Sequence, residues 1–227
     1  MMERGSEPKL DPSDLTLEEL RPVLAPAIAD AAVFDGWGDA ALEMAALDTG
    51  VDMDVARLAF AGGAMDMVDA WIRSIDIAMV LALPAATLAQ MPIRERIRAQ
   101  IQFRLDTVLG REEALRRAMA IMALPQNVSQ SLKTGWRSAD IMWRQAGDTA
   151  TDYNHYTKRT ILAGIYAATL AVFMEDDSAD KADTRAFLDR RIAGVMKFEK
   201  TKARLLGKDR ESFSVMRFLG RLRYPAR

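Results

Sequence analysis

The chain contains one histidine, His155, and it lies in the polar stretch GDTATDYNHYTKR, Gly147 to Arg159, close to Asp148 and Asp152. A carboxylate that orients an imidazole is the usual general-base arrangement, so Asp148, Asp152 and His155 are the residues whose types and spacing could do acid–base chemistry. No second catalytic element keeps them company. The chain has no G-x-G-x-x-G, no G-x-x-x-x-G-K-[ST], no H-E-x-x-H and no G-x-S-x-G. The plainer reading is favoured: anions near a helix N-terminus, and a surface histidine on its first turn. The chain is therefore not expected to be an enzyme.

The same single histidine cannot supply the two Glu-x-x-His motifs of a helical di-iron site. With no cysteine there is no disulfide framework, no thiolate nucleophile and no Cys-ligated zinc or iron–sulfur cluster. No metal or cofactor is expected, although a carboxylate-only metal site stays open.

Nearly the whole chain must be helical to position these residues, because the apolar residues recur at helical spacing and no run of alternating β-branched residues appears. An all-α fold is expected. Ile93, Ile97, Ile101, Leu105 and Val108 form one stripe between Pro92 and Gly110. Val128, Leu132, Trp136, Ala139, Trp143 and Ala146 form another between a capping Asn127 and Gly147. Thr151 or Asp152 caps the next helix, which runs to about residue 175; further helices follow from Asp180 to Gly207 and from Glu211 to Arg223.

Toward the N-terminus, short segments follow Pro26, Asp39 and Asp52, each closed by a glycine: Gly36, Gly50 and Gly62. This divides the chain into a disordered segment, 1–19, a helix-turn-helix-like head, 20–62, a helical body, 63–207, and a C-terminal helix, 208–227. Nucleic acid is not an expected partner of the head. Between Arg21 and Phe60 it offers two bases, Arg21 and Arg57, against seven acids.

Charge is lopsided along the chain: sixteen acids and five bases to residue 90, then sixteen acids and twenty-six bases. In the last helix Phe213, Met216, Phe218, Leu219 and Leu222 share a broad apolar arc opposed by Arg217 and Arg221. Such a helix either packs on the body or lies on an anionic membrane. Its place after Gly207 and a polar KDRES link favours membrane contact. The longest uncharged run, Ile77 to Ile93, holds two prolines and falls short of the ~20 apolar residues of a membrane span. The polar, acid-bearing N-terminus fits neither a signal nor a transit peptide, so a cytoplasmic location in a bacterium is expected. The Met-rich segments Met67–Leu83 and Leu115–Leu124 suit a cavity for a flexible apolar ligand and an ordinary core equally well.

Trp136, Ser138, Ala139, Asp140, Trp143, Gly147, Asp148, Thr151, Asp152, Asn154, Tyr156, Thr157, Lys158, Arg159, Leu162, Tyr166 and Thr169 read together as a long signature of mixed polar types at fixed spacing. It resembles the signature of the Coq-nine family of ubiquinone-biosynthesis proteins, with weaker agreement at Gly36-Trp37 and at Phe187, Leu188 and Arg191. The resemblance implies a TetR-like fold that has lost DNA binding, a homodimer, and an isoprenoid or phospholipid ligand in the body. It implies an accessory role beside the di-iron demethoxyubiquinone hydroxylase, Coq-seven. It also implies attachment to the inner membrane, on the matrix side in a eukaryote.

On that resemblance Asp152, His155, Tyr156 and Arg159 are the expected partner-binding patch, with Asp152, Tyr156 and Arg159 on one exposed face. Met79, Leu83, Met119, Met122, Trp136, Trp143, Ile165 and Phe173 are the expected lipid-binding residues. Phe213, Met216, Arg217, Phe218, Leu219, Arg221 and Leu222 are the expected membrane contacts. Two departures stand out: His155 replaces an aromatic found in many members, and FAGG, Phe60 to Gly63, replaces F-P-x-G. The alternative with the same architecture is a TetR-like ligand-responsive transcription regulator.

Overall fold

The structure, a computed structural model, describes residues 14–149 and 153–206, and every regular element among them is helical. Asp152 and the whole C-terminal segment with its seven expected membrane contacts, Phe213 to Leu222, lie outside the described residues.

Helix α1 (Leu17–Asp35) begins inside the segment expected to be disordered and runs through Pro22 and Pro26, so neither the 1–19 boundary nor the helix start after Pro26 holds. The cause is a capping box: Thr16 Oγ1 accepts from the Glu19 backbone N–H, and the Glu19 carboxylate accepts from the Thr16 backbone N–H at 3.0 Å. Each proline removes one helical hydrogen bond. Full burial of Leu20, Leu24, Ala25, Ile28, Ala29 and Ala32 offsets that loss.

Helices α2 (Asp39–Thr49) and α3 (Met53–Ala59) complete the head. Asp52 caps α3 by accepting from the Asp54 and Val55 backbone N–H groups, and Gly50 ends α2 with a left-handed backbone, as the punctuation predicts. Both bases of this head are engaged by acids: Arg57 by Asp54 at 3.5 Å, Arg21 by Glu18 and Asp66. The FAGG turn is tied down by the Gly63 N–H on the Phe60 carbonyl at 2.8 Å and by the Gly62 N–H on Asp66.

The body comprises α4 (Ala64–Ala82), a single turn α5 (Ala85–Leu88), α6 (Ile93–Thr107), α7 (Glu112–Met122), α8 (Val128–Gln145), α9 (Tyr153–Glu175) and α10 (Ala182–Leu206). Asn127 closes a 3-10 turn ahead of α8 and gives it no side-chain cap; its amide donates instead to the Ile121 carbonyl. Helices α6, α7 and α8 pack against α9, α4 packs on α6, α7 and α8, and α10 lies along α9 and α6. Trp37 joins head to body: its indole N–H donates to the Ala114 carbonyl at 2.9 Å, and its ring lies 5.2 Å from that of Trp71.

Gly147 ends α8 at φ +89°, and Arg96 NH1 stands 3.2 Å from where a Cβ would be. Arg96 donates from there to the Ala146 carbonyl at 2.7 Å, placing a cation on the carbonyl end of α8. The chain can therefore turn sharply from α8 toward α9.

Candidate functional site

The α8–α9 corner is a clasp of charges. Asp148 accepts from Lys158 Nζ at 2.6 Å and from Arg159 NH1 at 3.0 Å, while Arg159 Nε donates to Asp140 at 2.6 Å. Arg144, one turn after Asp140, approaches that carboxylate to 2.8 Å. Trp143 adds its indole N–H on the Lys158 carbonyl at 3.0 Å, with the Lys158 ammonium 5.4 Å from its ring centroid. Burial pushes the Asp148 carboxyl up, but the hydrogen bonds from Lys158 and Arg159 outweigh it and hold the group below the usual carboxylate range. The same balance of burial against Arg159 and Arg144 lowers Asp140. The Asp148 carboxylate is thus committed to two cations, which counts against its serving as the orienting partner of an imidazole.

The expected exposed face of Tyr156 and Arg159 does not form. Tyr156 is 61% exposed, whereas Arg159 is 1% exposed, because it turns inward onto Asp140 of α8 and Asp148 just past the end of that helix. Tyr156 has other company: its ring lies 5.2 Å from the His155 ring and 5.7 Å from Trp136, and His155 lies 6.0 Å from Trp136. Three rings from two helices make one aromatic patch.

Trp136 also borders the larger of two apolar cavities. That cavity, about 630 Å³, lies among α4, α7, α8 and α9, and Trp71, Ile75, Met119, Met122 and Leu170 are among its walls. A second, of about 450 Å³, lies among α6, α9 and α10, walled by Ile97, Trp143, Leu162, Ile165 and Ile192 with Arg94 and Lys158 at its edge. Both fall in the size range of ligand pockets, roughly 300–1,000 Å³. Helix α9 separates them. Thr160, Ala163, Gly164, Ala167 and Leu170, at spacings of three and four, line the first; Thr157, Ile161, Leu162 and Ile165 line the second.

The eight expected lipid-binding residues therefore do not line one site. Met119, Met122 and Trp136 border the larger cavity, and Trp143 and Ile165 the smaller. Phe173 lines a separate small pocket with Lys181 and Thr184. Met79 is fully buried in the core and Leu83 packs partly buried against it. The reason is that α9 is apolar on two opposite faces, so helical periodicity marks a residue as inward without saying into which compartment.

The polar residues inside the larger cavity were not singled out from the sequence. Arg104, 1% exposed, donates NH1 to Asp76, which also accepts from Ser138 Oγ at 3.0 Å; the guanidinium carbon stands 4.9 Å from the Tyr166 ring centroid. Arg104 and Asp76 each sit on an apolar helix face, and that misplaced polarity was the available signal. Among the described residues no group of three or more His, Asp or Glu could hold a metal ion, and no helix is long and apolar enough to cross a membrane.

Residues 128–199, which hold this clasp, the aromatic patch and all of α9, match the COQ9 family. The chain is 44% identical over 100 residues to the rat ubiquinone biosynthesis protein COQ9, mitochondrial, an alignment that covers 44% of this chain and 32% of the rat protein. The human protein of the same name is 40% identical over 100 residues, covering 44% and 31%. The Drosophila melanogaster COQ9 protein is 25% identical over 197 residues, covering 83% of this chain and 60% of that one. The chain thus spans about a third of the length of the mammalian COQ9 proteins it matches. A TetR transcriptional regulator from Nitrosomonas europaea superposes with a TM-score of 0.61 at 21% identity, over 77% of this chain and 96% of that one. The fold that holds this matched segment is TetR-like, as the resemblance implied.

Proposed function

We propose that this chain is a non-enzymatic, lipid-binding accessory protein of ubiquinone biosynthesis, which holds an isoprenoid quinone precursor in the larger cavity and presents it to a di-iron demethoxyubiquinone hydroxylase of the Coq-seven type. The observation that carries the reading is Trp136. This tryptophan borders a lipid-sized apolar cavity, and its ring also lies tilted against those of Tyr156 and His155 in the patch. The names of the COQ9 relatives, all ubiquinone biosynthesis proteins, support the pathway. Partner docking is assigned to Tyr156 and His155, with Arg159 acting from beneath by fixing the turn that carries them.

The chain works as a homodimer at a membrane surface: the bacterial cytoplasmic membrane, or the matrix side of the inner membrane in mitochondria, the organelle named for the relatives. Basic residues of the segment 208–227 supply the attraction to anionic lipid.

Mass spectrometry of the protein purified under native conditions should find an isoprenoid or phospholipid bound. Protein that emerges free of lipid and takes none up from vesicles would sink the reading. The regulator alternative shares the fold of the Nitrosomonas protein. Its would-be recognition helix α3 carries a single base, Arg57, already paired with Asp54. A duplex shifted in mobility at moderate salt would nevertheless favour it.

A further inference from the structure

Arg104 points to the chemistry of the ligand. Its guanidinium is buried at the inner wall of the larger cavity, with NH1 on Asp76 and NH2 3.5 Å from Ser138 Oγ. Its Nε–H, fully buried, meets no acceptor among the described residues. The Tyr166 side chain also stabilises this guanidinium, yet a buried donor left without an acceptor is costly, and one on a charged group more so, so Nε suits an acceptor beyond those the described residues supply.

Charge accounting narrows what that acceptor is. Asp76 faces Arg104 and, at 3.8 Å, Arg137; Arg137 in turn pairs with Asp69 at 3.0 Å. Two carboxylates and two guanidiniums balance. An anionic head would bring an uncompensated charge into this wall, whereas a neutral carbonyl, phenol or methoxy oxygen would satisfy Nε without disturbing the balance. The rest of the cavity wall is mostly apolar, broken by the hydroxyls of Ser131, Thr134, Ser138, Thr160 and Tyr166, and the exposed Leu132 with the half-buried Met122 mark a side along which a hydrocarbon tail can run.

We propose that Arg104 is the recognition element for a neutral, oxygen-bearing ring at the buried end of the cavity's lipid, with the tail directed toward Met122 and Leu132. The inference rests on the cavity being a lipid site, as proposed above. A ring held this way must leave Arg104 before it can be handed on. The competing occupant of Nε is a water bridging it to Gln100 Oε1, one turn earlier on α6 and also without a partner.

The test compares three probes with one isoprenoid tail on the full chain by titration calorimetry: a benzoquinone, a phenyl ring without oxygens, and a diphosphate. The benzoquinone should bind at least about tenfold more tightly than the phenyl compound. In the joint variant Arg104→Met with Asp76→Leu, which removes the buried pair as a unit, the two neutral probes should bind alike. The infrared carbonyl stretch of the bound quinone should be lowered in the parent protein and return toward its free value in that variant. Should the variant fail to fold, the parent protein's probe preference and carbonyl stretch still decide. Equal binding of quinone and phenyl compound by the parent protein overturns the role of Arg104 and leaves the lipid cavity standing. Tightest binding of the diphosphate overturns the neutral head. No binding of any probe removes the lipid reading itself.

Discussion

Arg159 NH1 lies 3.0 Å from Asp148 Oδ2 across the α8–α9 corner, inside a turn whose outer side carries Tyr156. The two residues of α9 therefore have separable roles. Arg159→Ala leaves two partly buried carboxylates, Asp148 and Asp140, without their shared cation and should cost about 3 kcal/mol, or about 6–12 °C in Tm for a chain of this size. Tyr156→Ala, at an exposed position, should hold stability within about 0.5 kcal/mol and abolish pull-down of the hydroxylase. Thermal melts alongside the pull-down check the pair; undiminished capture by Tyr156→Ala would take the patch out of the interface.

Gly164 lies in α9 on the wall of the larger cavity, and a Cβ added there meets nothing within 4 Å. Gly164→Met should gain about 1 kcal/mol from helix propensity while filling part of the cavity. The expected result is a higher melting temperature with less lipid per protein by mass spectrometry. Lipid content equal to that of the parent would place the ligand elsewhere, with the smaller cavity the next site to fill.

Gly147 should not tolerate a side chain. At φ +89° and with Arg96 NH1 3.2 Å from the Cβ position, Gly147→Ala should cost about 1–2 kcal/mol in denaturant unfolding, because it strains the turn and displaces the cation from the end of α8. An unchanged midpoint would show that the corner adapts without loss.

Acid should weaken the body before other conditions do. Burial pushes the Asp176 carboxyl up, yet hydrogen bonds from Ser178 and Thr184 outweigh it and hold the group far below its ordinary 3.8; Asp148 and Asp140 are lowered in the same direction. A carboxyl lowered in the folded state contributes stability that is complete above the unfolded value and is lost as pH falls toward the folded one. Stability measured by urea unfolding should therefore hold to about pH 5 and fall steadily below pH 4. Asp176→Asn should be less stable at pH 7 and show a shallower fall in acid; a parallel curve would mean that Asp176 does not contribute.

Removing residues 209–227 should weaken binding to anionic liposomes, most clearly at low salt, where basic residues act over the longest range. Sedimentation with phosphatidylglycerol vesicles before and after truncation checks this. Equal binding by both forms would favour a helix packed on the body.

Much of this could be read from the residues because local rules and tertiary packing agree. Asp52 caps α3, Pro92 precedes α6, and Gly50 and Gly147 close helices with positive φ, each where the punctuation placed it. Helix α1 was harder because Pro22 and Pro26 argue locally for an end that burial of Leu24 and Ile28 overrides. Arg159 misled for a similar reason. Spacing along α9 sets it one turn from Tyr156, but only the fold shows that α8 ends on top of it. The Arg104–Asp76 pair joins positions 28 residues apart on different helices, a distance over which no periodicity speaks.

The two-sided apolarity of α9 makes the volumes on its flanks a shared quantity. A residue enlarged on the Gly164 side can be relieved by a residue shrunk on the Ile165 side, since a shift of the helix takes from one compartment what it gives to the other. Positions one apart on this helix should therefore compensate for each other, and substitutions there are best made and measured in pairs.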